Sequence, residues 1–200
     1  MEKYLFIILL AYFLGSIPFG YILGRLVTKQ DIRTKGSGNI GTTNAFRTSG
    51  PAVGLLTLFF DALKGFLSCY LALRIMPTDE AVALAGFFAM VGHCFSAFLK
   101  FKGGKGIATS AGVVLYIDYR LLLILLAVFI LILVVTKIVS LSSIIAALSA
   151  PFITFLLGLE KPYLIMVLVI VAIVIYRHMD NIKRLRAGTE SKIGRKKVQE

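Results

Sequence analysis

Residues 107–159 read IATSAGVVLYIDYRLLLILLAVFILILVVTKIVSLSSIIAALSAPFITFLLGL. A helix that crosses a bilayer takes roughly 20 mostly apolar residues, with about 17 as a lower limit. This stretch is too long for one or two crossings. It is interrupted twice, by Asp118-Tyr119-Arg120 and by Thr136-Lys137. The charges belong at membrane surfaces, so the stretch divides into three spans: a short Ile107–Ile117, then Leu121–Val135 and Leu141–Leu157. Working outward, four more segments are long and apolar enough: Tyr4–Val27, Val53–Met76, Ala81–Leu99 and Pro162–Tyr176. The expected fold is therefore all-α: a polytopic membrane protein of seven transmembrane helices, the fourth short. The first span contains Gly15-Ser16-Ile17-Pro18 and no small-residue cleavage site follows it, so it is read as a span rather than a signal peptide.

Composition agrees with this division. The 200 residues are 58% hydrophobic and 16% charged, with mean hydropathy +0.88. So much apolar surface exceeds what the core of a soluble domain this small can hide. The 22 Lys+Arg against 10 Asp+Glu give a net charge of +12. In a polar chain that excess would suggest nucleic acid; here it is a topology signal. With seven crossings, Arg25, Lys29, Arg33, Lys35, Arg47, Lys100, Lys102, Lys105, Lys137 and the eight basic residues from Arg177 onward fall on one side. Only Lys3, Arg74, Arg120 and Lys161 fall on the other. The positive-inside rule places the C-terminus in the cytoplasm and the N-terminus outside. Residues 1–200 form one integral membrane domain whose segment 178–200 is a basic, partly helical cytoplasmic tail. The largest loop is Thr28–Gly50. Cys69 and Cys94 lie in apolar runs and read as buried thiols.

The Gly-rich polar segments all fall on the cytoplasmic side. Gly36-Ser37-Gly38-Asn39-Ile40-Gly41-Thr42-Thr43-Asn44 precedes Arg47. Its glycines permit positive φ, its N–H groups can converge on an anion, and Arg47 offers a fork suited to phosphate. A plain solvated loop is the alternative. The literal G-x-G-x-x-G is no dinucleotide fingerprint, because no strand precedes it. The second segment runs from Gly92 to Gly106. Its Gly103-Gly104-Lys105-Gly106 turn opens a helix, an arrangement suited to phosphate, with Lys105 as point charge. Lys100 and Lys102 read as surface cations. The third, Arg177–Leu185, places His178 and Asn181 on one helical face if the helix continues; a structural role for this histidine is the alternative. Asp61 and Lys64 sit three residues apart inside the second span. Intramembrane charges mark function by default, yet this pair can also simply neutralise itself while bracing helices.

Several constellations are missing. With two histidines and no metal-ligand spacing, metal hydrolysis is not expected, and no G-x-S-x-G elbow occurs. His93 has Phe98 five residues on, where a base dyad would need an acid. What remains can bind phosphates and stabilise charge but has few bases. An anion transporter is the competing class, and a structural lipid-binding protein a third. Transporters place their sites near the midplane, often in repeated halves; here the motifs gather at one face and no repeat is visible.

Together these segments resemble the bacterial acyl-phosphate:glycerol-3-phosphate acyltransferase family. The resemblance runs from Gly15–Gly20 to Gly188-Thr189-Glu190. It is carried by the Gly36–Arg47 loop, Asp61–Gly65, Gly92–Thr109, Ser140–Ser143 and Arg177–Leu185. Ser96 departs from the pattern, where the family usually has proline. The resemblance implies transfer of a fatty acyl group from acyl phosphate to the 1-hydroxyl of glycerol 3-phosphate, giving lysophosphatidic acid and phosphate. It implies no cofactor, a bacterial inner-membrane location and a cytoplasmic active site. Two phosphorylated substrates need two anion sites, and there are two Gly-rich basic loops. The leaving phosphate can take the hydroxyl proton, so neither a protein nucleophile nor a base is required. We assign the acyl-phosphate headgroup to Gly38, Asn39, Gly41, Thr42 and Thr43, with Asn44, Gly103 and Gly104 as further substrate-binding residues. Ser37, Arg47, Lys105, His178 and Asn181 are assigned to glycerol 3-phosphate, and Ser143 to the reacting centre. The acyl chain is expected between helices open to lipid. From charge alone, the enzyme that supplies acyl phosphate is expected to dock transiently on the basic face; no nucleic acid is expected.

Overall fold

A computed structural model describes residues 1–194; the basic residues Arg195, Lys196 and Lys197 of the expected tail lie outside the described residues. These contain ten α-helices and no strand: α1 (Glu2–Ser16), α2 (Phe19–Thr28), α3 (Thr42–Ser49), α4 (Pro51–Ile75), α5 (Asp79–Cys94), α6 (Ile107–Ile117), α7 (Tyr119–Thr136), α8 (Val139–Leu156), α9 (Lys161–Arg177) and α10 (Met179–Arg186). Five runs are long and apolar enough to cross a membrane: α1–α2, α4, α5 with the turn after it, α7 and α8. The pair α9–α10, bent by 57°, qualifies as a sixth if taken as one span, and α6 is shorter.

Each expected apolar segment is helical, with boundaries moved by local chemistry. Asp118 and Lys137 become the turns on either side of α7. Asp118 caps it by accepting from the Arg120 N–H, and Lys137, in the left-handed conformation, ends it. Thr78 caps α5, with Asp79 and Glu80 in its first turn. The expected single span Tyr4–Val27 is broken at Ile17-Pro18, because proline has no N–H to continue the ladder. The carbonyls freed there are satisfied from elsewhere in the bundle: Ser96 Oγ, in the turn after α5, donates to Ser16 O at 2.6 Å and Lys64 Nζ of α4 to Ile17 O at 2.8 Å. The expected span Ala81–Leu99 likewise ends as a helix at Cys94 and continues as a short 3₁₀ turn, Ala97–Leu99. The loop Thr28–Gly50 is more ordered than its composition suggests. It holds a 3₁₀ turn, Ile32–Thr34, and α3, pinned by Ile32, Ile40 and Ala45 against Val53 and Leu99.

Helices in lipid gain no hydrophobic drive from meeting one another and rely on close packing. Glycines supply it. Gly15 of α1 abuts the Ala89 backbone of α5, and Gly65 of α4 and Gly112 of α6 abut the backbones of Thr109 and Ala62; a methyl group at any of these would collide. Cys69, Met90, Cys94, Val113, Met166 and Val174 form the central core from α4, α5, α6 and α9, and both cysteines are buried free thiols. Leu123, Leu126, Leu131, Val134 and Val135 of α7 remain exposed. The Gly-rich segments converge at the end of the bundle where α2, α5 and α9 finish and α3, α6 and α8 begin.

Candidate functional site

The loop between α5 and α6 is tied down on several sides. Tyr12 donates to Phe95 O at 2.8 Å. The N–H of Gly103 donates to Cys94 O and that of Gly104 to His93 O. Arg177, at the end of α9, donates through Nε to Gly104 O (3.0 Å) and through Nη2 to Gly103 O (2.8 Å). The His93 ring lies directly against Gly104, so that a Cβ at residue 104 would strike Nε2. This corrects the expectation for the two glycines. Their N–H groups and carbonyls are committed to the fold, and what they do is present Lys105. Gly106, at φ +83°, turns the chain into α6.

Lys105 Nζ donates to Asn181 Oδ1 at 2.6 Å. Asn181 stands in the first turn of α10, and its Nδ2 donates to Glu190 Oε1 at 2.6 Å. The helix does not continue straight through His178, as a shared face would have required: the chain bends there, yet His178 and Asn181 are both buried. His178 Nδ1 lies 2.8 Å from Val174 O. A carbonyl only accepts, so Nδ1 carries the hydrogen and Nε2 is left as the acceptor nitrogen. After α10, Gly188 adopts φ +68° and the Thr189 N–H donates to Arg184 O, which turns the chain back. Glu190 thereby accepts from Ser140 Oγ of α8 at 2.8 Å and from Arg184 Nε at 2.6 Å, besides Asn181. The Ile193 N–H then donates to Lys137 O, fastening the tail to the turn before α8.

The electrostatics follow from burial. Burial pushes the Lys105 ammonium down to about 8; Glu190 opposes this, while Arg184, Arg177 and Arg47 add to it. Arg47, exposed on α3, is thus near enough for its charge to act on Lys105. Burial likewise lowers His178 to about 4, against the bond to Val174 and with help from Lys105. Burial works to raise the Glu190 carboxyl, but the bonds from Ser140, Arg184 and Asn181 outweigh it and hold the group below the usual range. At neutral pH the end of the bundle therefore holds an ionised carboxylate, a neutral imidazole and several cations.

The other assigned residues divide. Asn44 is buried and spent on the loop: its Nδ2 donates to Ile32 O (2.8 Å) and Asn39 O (2.8 Å), and its Oδ1 accepts from the Ser37 N–H. It shapes the loop, and its Nδ2 hydrogens are taken up by loop carbonyls. Gly38 and Gly41 also give their N–H groups to the loop, to Lys35 O and Asn39 Oδ1. The N–H groups of Thr42 and Thr43 open the first turn of α3, where a helix has no acceptor of its own. Thr42 Oγ1 is buried without a partner among the described residues. The Ser37 side chain is exposed. Ser143 Oγ donates to Val139 O within its own helix, and it is Ser140, one turn earlier, that joins the polar network.

Deeper in the bundle lies a cluster the chemistry above does not touch. Lys64 Nζ is 2.7 Å from Asp61 Oδ1, and His93 Nδ1 stands 3.5 Å from the same oxygen. All three side chains are almost fully buried. Through His93 this cluster backs the Gly104 turn.

Sequence reasoning missed Glu190, Arg184, Ser140 and the pinning role of Arg177. All four lay inside segments already singled out, but none had been given a partner or a role. Glu190 is fifty residues from Ser140, and no local pattern announces that pairing.

A helical bundle with lipid-facing apolar flanks, and with lysine and arginines gathered around a neutral histidine at one end, is an integral membrane protein built to hold anions there. Comparison with known proteins narrows the class. The pattern of the glycerol-3-phosphate acyltransferase family matches residues 5–188. A glycerol-3-phosphate acyltransferase of Trichlorobacter lovleyi is 50% identical over 192 residues, covering 96% of this chain and 98% of the relative. One of Bacillus subtilis is 46% identical over 188 residues, covering 94% and 96%. The crystal structure of PlsY (YgiH), an integral membrane glycerol 3-phosphate acyltransferase in its glycerol 3-phosphate form, superposes with TM-score 0.91 at 39% identity, covering 96% of each chain. Its lysophosphatidic acid form superposes with TM-score 0.89. The chain belongs to the glycerol-3-phosphate acyltransferase family.

Proposed function

We propose that this chain transfers a fatty acyl group from acyl phosphate to the 1-hydroxyl of glycerol 3-phosphate. The observation that carries the reading is the half-buried Lys105 ammonium, bonded to Asn181 and facing Arg47, Arg177 and Arg184, beside a histidine that stays neutral. A glycerol 3-phosphate dianion offsets that charge, and its hydroxyls find Asn181 and His178 Nε2. The acyl-phosphate headgroup takes the first turn of α3, with the N–H groups of Thr42 and Thr43 and the unpartnered Thr42 hydroxyl around it, while Ser37 joins Arg47 and Lys105 on glycerol 3-phosphate. Asn39 shapes that turn through its bond to the Gly41 N–H, Ser143 is assigned to the reacting centre, and the acyl chain runs between helices into lipid.

The hydroxyl oxygen attacks the acyl carbonyl carbon. The carbon–oxygen bond to phosphate breaks, and the departing phosphate takes the hydroxyl proton. A histidine protonated only near pH 4 is a feeble proton acceptor, which supports phosphate rather than His178 in that role. The protein contributes positioning and charge.

Seven crossings, counting α6 as the short fourth, put the N-terminus outside and the site in the cytoplasm of a bacterial inner membrane. The same basic face suits transient docking of the enzyme that supplies acyl phosphate. Purified protein given labelled glycerol 3-phosphate and palmitoyl phosphate forms labelled lysophosphatidic acid and releases phosphate. No labelled product overturns the reading, and product from palmitoyl-CoA alone overturns the choice of donor.

A further inference from the structure

We propose that Glu190 is a positioning residue of this site, setting the Asn181 amide, and through it the Lys105 ammonium, for glycerol 3-phosphate. The inference rests on the reading of the site given above.

The argument begins with the asymmetry of a carboxamide. Its oxygen only accepts and its nitrogen only donates. Glu190 Oε1 accepts from Asn181 Nδ2 at 2.6 Å, so the other end of that amide must present its oxygen, and it presents it to Lys105 Nζ at 2.6 Å. Were the amide reversed, its NH₂ group would confront an ammonium and its oxygen a carboxylate, and both contacts would be lost. The acid thus determines which atom Asn181 shows the site.

Glu190 is itself held from two other elements. Ser140 Oγ of α8 donates to Oε1, and Arg184 Nε of α10 donates to Oε2. Its side chain is only 8% exposed, against 43% for Arg184. The carboxylate therefore joins α8, α10 and the returning tail at one point, and the Gly188 turn and the Ile193–Lys137 bond deliver it there. The bond to Asn181 connects it to the substrate-facing lysine.

Charge gives a second role to the same carboxylate. Among the described residues the charges acting on Lys105 are those of Arg47 of α3, Arg177 at the end of α9, Arg184 of α10 and Glu190, with His178 neutral at the bend. Of these only Glu190 is negative, and it opposes the loss of the lysine proton. A neutral residue at position 190 leaves burial and three arginines unopposed.

The experiment compares wild type, Glu190→Gln, Glu190→Asp and Ser140→Ala as purified full-length proteins. Each is assayed for KM and kcat toward both substrates from pH 6 to 10. A charged hydrogen-bond network loses about ten- to a hundredfold in affinity when one partner is neutralised. Glu190→Gln is expected to raise KM for glycerol 3-phosphate by that factor, to leave KM for palmitoyl phosphate unchanged, and to move the basic limb of the pH profile to lower pH. Glu190→Asp keeps the charge and loses reach, so its KM rises while its basic limb stays closer to wild type. Ser140→Ala removes one donor without touching the acid and raises the same KM by a smaller factor; it decides the matter if Glu190→Gln fails to fold, as judged by size exclusion. An unchanged KM and an unmoved basic limb overturn the proposal. A lower KM for glycerol 3-phosphate also overturns it, because the carboxylate would then be occupying the place of the substrate phosphate. A wild-type protein that makes no product overturns the functional reading itself, a result distinct from either.

Discussion

Replacing Gly104 by alanine tests whether the turn before Lys105 is built as the contacts indicate. The new Cβ would strike Nε2 of His93, far inside the closest distance real Cβ atoms adopt. Something must then move, and the geometry decides what. The His93 ring cannot withdraw easily: it is 3% exposed, and its other nitrogen faces Asp61, which Lys64 holds. The turn must yield instead. It is joined to His93 O by the Gly104 N–H and to Arg177 by two carbonyls, so retreat stretches all three bonds. Lys105, the next residue, moves with it. A displacement of about 1 Å at a substrate-positioning group can cost on the order of a hundredfold in rate. We expect Gly104→Ala to lose about that factor in kcat/KM for glycerol 3-phosphate at saturating palmitoyl phosphate. Hydrogen bonds to charged groups contribute about 1.5–3 kcal/mol each, so weakening those from Arg177 should also lower the melting temperature in detergent. Unaltered kcat/KM together with an unaltered melting temperature would refute the packing of His93 beneath this turn.

Asp61→Asn leaves the buried Lys64 ammonium without its counter-charge, with only neutral oxygens, the Ile17 carbonyl among them, to accept from it; breaking a buried pair costs about 3–5 kcal/mol. A large fall in melting temperature is expected, and Asp61→Asn combined with Lys64→Met should recover much of it; a double variant less stable than the single would count against the pair. Arg47 is exposed, so Arg47→Ala should lower kcat/KM by two or more orders of magnitude, the scale of losing a positioned charge on a phosphate, while the melting temperature stays put; near-wild-type activity removes it from the site. Activity should fall as pH rises through about 8, where Lys105 loses its proton. Stability runs the other way: the folded value lies below the ordinary 10.5, the unfolded chain holds more protons between the two, and Lys105 therefore makes the protein more stable as pH rises across that window. A melting curve and a rate profile that fall together above pH 8 would contradict this assignment.

Periodicity and charge were enough to read an all-helical membrane protein and its apolar segments, because a bilayer imposes the same demand on every segment. Asp118, Thr136 and Lys137 interrupt an otherwise unbroken apolar run, and the structure turns at those residues. Composition could not foresee that Thr42–Ser49 is a helix. The order there comes from Ile32, Ile40 and Ala45 finding Val53 and Leu99, a tertiary contact that a polar local sequence does not advertise. Nor could it foresee the break at Ile17-Pro18 as a feature satisfied by Lys64 of α4 and by Ser96 in the turn after α5, although the proline itself was in plain view.

The site shows the same division more sharply. Lys105, His178 and Asn181 were singled out because phosphate chemistry calls for residues of those kinds near glycine turns, and the structure brings Lys105 to Asn181 at the bend that His178 makes. Gly103, Gly104 and Asn44 turn out to be occupied in building their loops, since glycine and asparagine suit ligand binding and loop construction equally well. Only the partners decide between those uses. Here Arg177 takes the carbonyls of the two glycines, and the Ile32 and Asn39 carbonyls take the amide of Asn44. A residue's type tells what it can donate or accept; its function depends on which of those capacities the fold has already used. The residues with capacity left over, namely the Thr42 hydroxyl, the remaining Lys105 protons, the His178 Nε2 and the Arg47 guanidinium, are therefore the better candidates for meeting substrate.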